Sequence, residues 1–131
     1  MNRLDREARV RWWYRFIQEG ARVHVAEDDR VVGFCHAGTS DDDGWGEVFA
    51  LYVHPRYWGA GHGFELLDAG ESTLRSTGHD KALLWVLEAN ERGRRFYERQ
   101  GWEVGKPIRV EEIGGVQVTE LRYEKTLRAY P

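Results

Sequence analysis

Cys35 is the only cysteine among 131 residues, so no disulfide can close within the chain and a reducing compartment is the expected setting. No apolar run approaches the roughly 20 residues that crossing a bilayer needs. The opening MNRLDREARVRWW is too charged for the apolar segment of a signal peptide. A net charge of only -3 gives no strong field of either sign, which argues against nucleic acid or an anionic membrane as partner. Repeats, low-complexity tracts and a recognisable linker are all missing. The five histidines and Cys35 show no metal-ligand spacing, so no metal is expected, and the Gly-x-Ser-x-Gly elbow of a serine nucleophile is absent. These absences predict a soluble, cytoplasmic protein with a single domain over residues 1–131.

The composition that is there points the same way. Hydrophobic residues make up 41% of the chain and six are tryptophan, enough for one real core. Leu4, Ala8, Trp12, Trp13, Phe16 and Ile17 recur at helical spacing before Gly20, which predicts an amphipathic helix over roughly residues 5–19. Arg22 to Ala26, Val31 to Ala37 and Glu47 to Val53 read as three strands of an antiparallel meander, joined by polar turns at Glu27–Arg30 and Gly38–Gly46. The aspartates at 41, 42 and 43 suit a solvated turn. Lys81 to Leu87 (KALLWVL) suits a central strand covered on both faces. A helix marked by Phe64, Leu67 and Leu74 separates it from the third strand, so the two should lie parallel through a right-handed crossover. Asn90 is the expected N-cap of a helix over roughly 91–100, closed by Gly101. Trp102–Val104 and Val116–Lys125 read as two strands around a loop at Lys106–Gly115, where Gly114-Gly115 signals a turn. The fold class is therefore α/β (α+β): a mixed, mostly antiparallel central sheet of about six strands flanked by helices.

One stretch stands apart, LYVHPRYWGAGHGFELL at residues 51–67. An apolar strand breaks at Pro55, passes through Gly59, Gly61 and Gly63, and becomes a helix. That arrangement aims free backbone N–H groups and the positive end of a helix at one point, and glycine lets a ligand approach the backbone. A phosphate or diphosphate fits such an environment. The turn lacks the Gly-Lys-Ser/Thr of a Walker loop, and its alternate glycines miss the dinucleotide spacing.

The stretch resembles the acyl-CoA diphosphate loop of the GNAT superfamily of N-acyltransferases, Gln/Arg-x-x-Gly-x-Gly/Ala. LEANERGRRFYERQGWE at residues 87–103 resembles its second signature: a strand ending at Asn, then a helix carrying Phe-Tyr before Gly and an aromatic. Glu47 followed by VFALYVHP resembles the strand that enters the loop. Three separated motifs in order are far more specific than one, and they cover roughly residues 20–125.

The resemblance implies acetyl-CoA as co-substrate, a parallel strand pair at its site, and direct attack by an amine in a ternary complex. The amine must be neutral to attack, and the departing thiolate needs a proton. The resemblance puts Tyr97 at the acid position near the sulfur and makes Glu47 the base, acting through water. It assigns cofactor contacts to the backbone of Leu51, Tyr52 and Val53, and to the turn Gly59, Ala60, Gly61, His62 and Gly63. Asn90 and Phe96 of the second signature join them, with Arg92 and Arg95 as candidates to neutralise phosphate. Trp58 departs from the usual Gln or Arg, so the diphosphate loses a polar contact, and the indole is a cofactor contact of another kind, covering the loop or stacking near the adenine. His62 reads either as an added donor or as an exposed loop histidine.

The acceptor amine, a small molecule or a peptide, is not named by these residues. The loop Lys106–Gly115, with Glu111 and Glu112, and the helix over residues 5–19 are expected to line its pocket. Domains of this kind ordinarily open with a strand and a helix before the helix expected at 5–19. Their absence would leave Arg22–Ala26 as a bare edge able to pair in a homodimer, or leave the acceptor site incomplete. Two alternatives to the enzyme remain at this level, a catalytically silent acyl-CoA-binding module with a protein-partner surface and a nucleotide-binding α/β protein.

Overall fold

A computed structural model describes residues 9–13, 22–28 and 30–127. Strands β1 (Arg9–Trp13), β2 (Arg22–Asp28), β3 (Arg30–Thr39) and β4 (Gly46–Val53) form an antiparallel meander. Helix α1 (His62–Ser76) leads to β5 (Lys81–Leu87), and α2 (Glu91–Arg99) to the hairpin of β6 (Glu103–Ile113) and β7 (Val116–Thr126). The described strands make one seven-stranded sheet in the order β1-β2-β3-β4-β5-β7-β6. Only β4 and β5 run parallel, as the intervening helix requires.

Helix α1 buries Leu66, Leu67 and Leu74 against Cys35 and Ala37 of β3 and Ala82, Leu84 and Val86 of β5, while Trp102, Leu121 and Tyr123 complete the core. Cys35 is fully buried, and burial pushes its thiol up to about 12, so it is an inert packing residue. One carboxylate lies inside this core. Glu71 of α1 accepts from Trp102 Nε1 at 3.1 Å and pairs with Lys125 Nζ at 2.8 Å. Lys125 also donates to the Gln100 carbonyl at 2.7 Å, so one buried acid ties α1 to β7 and to the end of α2.

Three expectations are corrected here. Residues 9–13 form a strand rather than part of a helix, and the remainder of the expected helix lies outside the described residues. RVRWW also alternates at period two, and its β-branched and aromatic residues suit a strand where a sheet edge offers hydrogen bonds. That edge is β2: Arg9 to Trp13 pair with Glu27 to Val23, so Arg22–Ala26 is not bare and the premise of edge pairing in a homodimer fails. Lys106–Gly115 is not a loop either, because β6 runs through to Ile113 and only Gly114-Gly115 turns. Register slips between Val104 and Ile108, so the ladder gives way around Pro107, where an edge strand tolerates proline.

Candidate active site

Strands β4 and β5 pair only at Gly46↔Ala82 and Glu47↔Leu83, then part. The cause lies on the other side of β4. His36 faces Ala50 while Ala37 faces Val48, so Phe49 is an extra residue that bulges β4 and bends it away from β5. A cleft of about 850 Å³ opens in the wedge, lined by Val48 to Val53 on one side and Leu84 to Leu87 on the other. Beyond Glu47, the backbone of β4 facing β5 has no strand partner among the described residues, so this edge can meet an extended ligand.

The glycine turn closes one end of this cleft. Gly59 (φ 80°) and Gly61 (φ 87°) both hold left-handed backbone, and a Cβ built at either meets nothing within 4 Å. Here the glycines serve backbone shape, and the space over them is open. Gly61 is the N-cap of α1 and no side chain caps the helix, so its first N–H groups stay unclaimed by side chains. Phe96 of α2 packs beside Gly63, 3.4 Å from where a Cβ would be, which joins the two helices at the cleft. His62 is 2% exposed and sits edge-on to Tyr57 at 6.2 Å, so the reading of an exposed loop histidine is corrected. Trp58 donates its indole N–H to the Val53 carbonyl at 2.7 Å, which occupies one of the backbone groups expected to meet the cofactor.

Helix α2 faces the turn across the cleft. Asn90 Oδ1 accepts from Gly93 N at 3.0 Å, so its N-cap role holds, and its Nδ2 remains for a ligand. A Cβ at position 93 would collide with the Asn90 amide, which explains the glycine inside the helix. The Tyr97 ring packs edge-on against Phe96 at 5.4 Å and Trp102 at 6.4 Å. Burial, with Cys35 the lesser cause, pushes its hydroxyl up to about 12, so it stays protonated throughout the neutral range.

Of the residues expected at the site, Leu51, Tyr52, Val53, Trp58, Gly59, Gly61, His62, Gly63, Asn90, Arg92, Arg95, Phe96 and Tyr97 line this one cleft. Ala60 and Glu47 do not. Glu47 stands where β4 and β5 part, and accepts from Ser40 Oγ at 2.8 Å. Burial raises its carboxyl above the ordinary carboxylate value, with the Ser40 hydrogen bond opposing it. Neither Glu111 nor Glu112 lines the cleft.

A family model described as the acetyltransferase (GNAT) family matches residues 2–102. The chain belongs to the GNAT acetyltransferase family. The mycothiol acetyltransferase of Propionibacterium freudenreichii subsp. shermanii is 43% identical over 88 residues, 64% of this chain and 28% of that protein. An uncharacterized N-acetyltransferase of Archaeoglobus fulgidus is 34% identical over 84 residues, 60% of this chain and 57% of that one. The chain thus spans under a third of the first relative and little over half of the second. Among solved structures, a PaiA N-acetyltransferase of Thermoplasma acidophilum in complex with coenzyme A aligns with TM-score 0.66 at 24% identity, covering 82% of this chain and 61% of that one. The IAA acetyltransferase of Bacillus cereus aligns with TM-score 0.75 at 12% identity, covering 92% and 99%. Such distant likeness speaks for the GNAT fold alone.

Sequence reasoning passed over several residues of this GNAT cleft. Phe49, Trp85 and Glu120 line it from β4, β5 and β7. Arg109 lies 4.3 Å from the Trp85 ring centroid and donates to Glu120 at 2.9 Å, so the hairpin sets a charged pair against the Trp85 ring of β5. Strand alternation could have placed Trp85 and Glu120 on one face, but only the pairing Leu87↔Glu120 puts both beside the cleft. Ser40 carried no sequence signal at all. It reaches Glu47 because the turn folds back, with Asp42 N donating to Ser40 Oγ at 3.0 Å.

Proposed function

We propose that the chain transfers the acetyl group of acetyl-CoA to a primary amine by direct attack in a ternary complex. The observation that carries this reading is the parting of β4 and β5 into one cleft. That cleft has an uncapped helix and a glycine turn at one end and a protonated phenol in its wall. Binding of coenzyme A by the Thermoplasma acidophilum neighbour supports the cofactor, since the fold is shared.

The unpaired edge of β4 binds the pantetheine arm as a short added strand, and Asn90 Nδ2 meets its amide. The turn and the start of α1 take the diphosphate through backbone N–H groups. Glu47 accepts the ammonium proton through a water, because it stands beside the cleft rather than in its lining. Glu120, which does line the cleft, already has its carboxylate engaged by Arg109. The neutral nitrogen attacks the thioester carbonyl, the C–N bond forms and the C–S bond breaks; the proton shed by the new amide nitrogen passes to the departing thiolate, which leaves as the thiol beside Tyr97. A phenol near 12 is a weaker acid than a thiol at roughly 8.5, so Tyr97 works as a fixed hydrogen-bond donor to the sulfur. The relatives named mycothiol acetyltransferase make a small-molecule acceptor the first class to try.

The test is Tyr97→Phe, with turnover followed by thiol release over a panel of amines and CoA affinity measured separately. Turnover should fall by about 100-fold or more while CoA affinity holds. A parent chain that binds CoA yet acetylates none of the amines would favour the silent binding module instead.

A further inference from the structure

Arg92 lies in the first turn of α2, where the helix dipole is positive and a cation is poorly placed. Its neighbours have conventional partners. Arg94 donates to the Tyr123 hydroxyl and the Glu88 carbonyl, each at 3.2 Å, and Arg95 meets Glu91 at 3.8 Å. Among the described residues no carboxylate pairs with Arg92. Its guanidinium carbon lies 3.8 Å from the centroid of the Trp58 ring instead. Trp58 is itself fixed by its indole N–H on the Val53 carbonyl, at 2.7 Å. Both side chains line the cleft, one from the glycine turn and one from α2.

Trp58 occupies the loop position at which the family pattern has Gln or Arg, so the loop has lost a polar group where a diphosphate would need one. We infer that Trp58 is a positioning residue that restores the missing cation from elsewhere, by seating Arg92 of α2 over the glycine turn to bind a phosphate of coenzyme A. A π face neutralises less charge than a carboxylate and takes up none of the guanidinium's hydrogen-bond donors. The guanidinium therefore keeps its fork of N–H donors for phosphate oxygens, which it matches in geometry. The misplaced charge then has a reason: an anion at the turn would answer both Arg92 and the uncapped start of α1. This inference rests on the reading of the cleft as the acyl-CoA site.

Calorimetric titration of the full chain with CoA, 3′-dephospho-CoA and S-acetylpantetheine tests it. Arg92→Gln should weaken CoA by about tenfold and leave S-acetylpantetheine, which has no diphosphate, within about twofold. Trp58→Leu should cost a similar factor, add little in the Arg92→Gln background, and be largely rescued by Trp58→Phe, which keeps a ring face. Equal losses for CoA and its dephospho form would place the guanidinium on the diphosphate and support the inference; a loss confined to CoA would place it on the 3′-phosphate and overturn it. Undiminished CoA affinity in Arg92→Gln, or an equal loss of S-acetylpantetheine, overturns it while the acyl-CoA reading stands. Failure of the parent to bind CoA at all removes both.

Discussion

Glu47 is half-buried, takes one hydrogen bond from Ser40, and has its carboxyl raised above the ordinary value chiefly by burial. A base must be ionised, so kcat/KM should decline as pH falls through this raised value. Ser40→Ala removes a hydrogen bond that favours the charged form, so the acidic limb should move to higher pH. A limb that stays put or moves down in the pH profile would argue that Glu47 is not the base. For stability the sign is opposite. A raised folded pKa means that folding favours the protonated form, so the stabilising contribution is complete below the unfolded pKa and lost as pH rises through the folded one. Glu47→Gln should therefore keep or raise the melting temperature at pH 7 while lowering turnover. Glu47, Asn90 and Tyr97 were legible because each belongs to a motif with fixed spacing. Trp58 and Arg92 were visible separately, but 34 positions in sequence hid the contact between them.

Elements differ in how much of their form is local. For β5 the apolar run at residues 82–87 sets the boundaries, and for α2 Asn90 and Gly101 mark start and stop, so both fall where the sequence puts them. β1 and β6 do not, because RVRWW fits two periods and Pro107 reads as a break until a partner strand is present. One buried acid ties α1 to β7. Glu71→Ala would leave Lys125 and the Trp102 N–H without their shared acceptor, and should cost about 3 kcal/mol, read as a lower midpoint in thermal or urea unfolding. A loss under about 1 kcal/mol would mean that water replaces the carboxylate. By contrast Gly61→Ala strains the left-handed N-cap by roughly 1–2 kcal/mol and should weaken CoA, since the loop must move to relieve φ 87°.

For the molecule as a whole, the prediction is linkage between ligand and fold. CoA at about 100 times its dissociation constant should stabilise the chain by about 2.7 kcal/mol, a rise of several degrees in melting temperature, while ATP should not. Equal protection by ATP would point to a nucleotide site in place of an acyl-CoA site. Among the described residues no helix is long and apolar enough to cross a membrane.

The sequence by itself determined the family, the order of elements from β2 to α2, and the glycine turn before α1. Those depend on local spacing: glycines at fixed offsets, one apolar run, one capped helix. Tertiary structure alone decided that β1 covers the edge of β2 and that β4 bends away from β5. It also set Ser40 against Glu47 and Arg92 on Trp58. Each of these requires residues distant in the chain to meet, and the energy of that meeting appears only once the sheet has set them side by side.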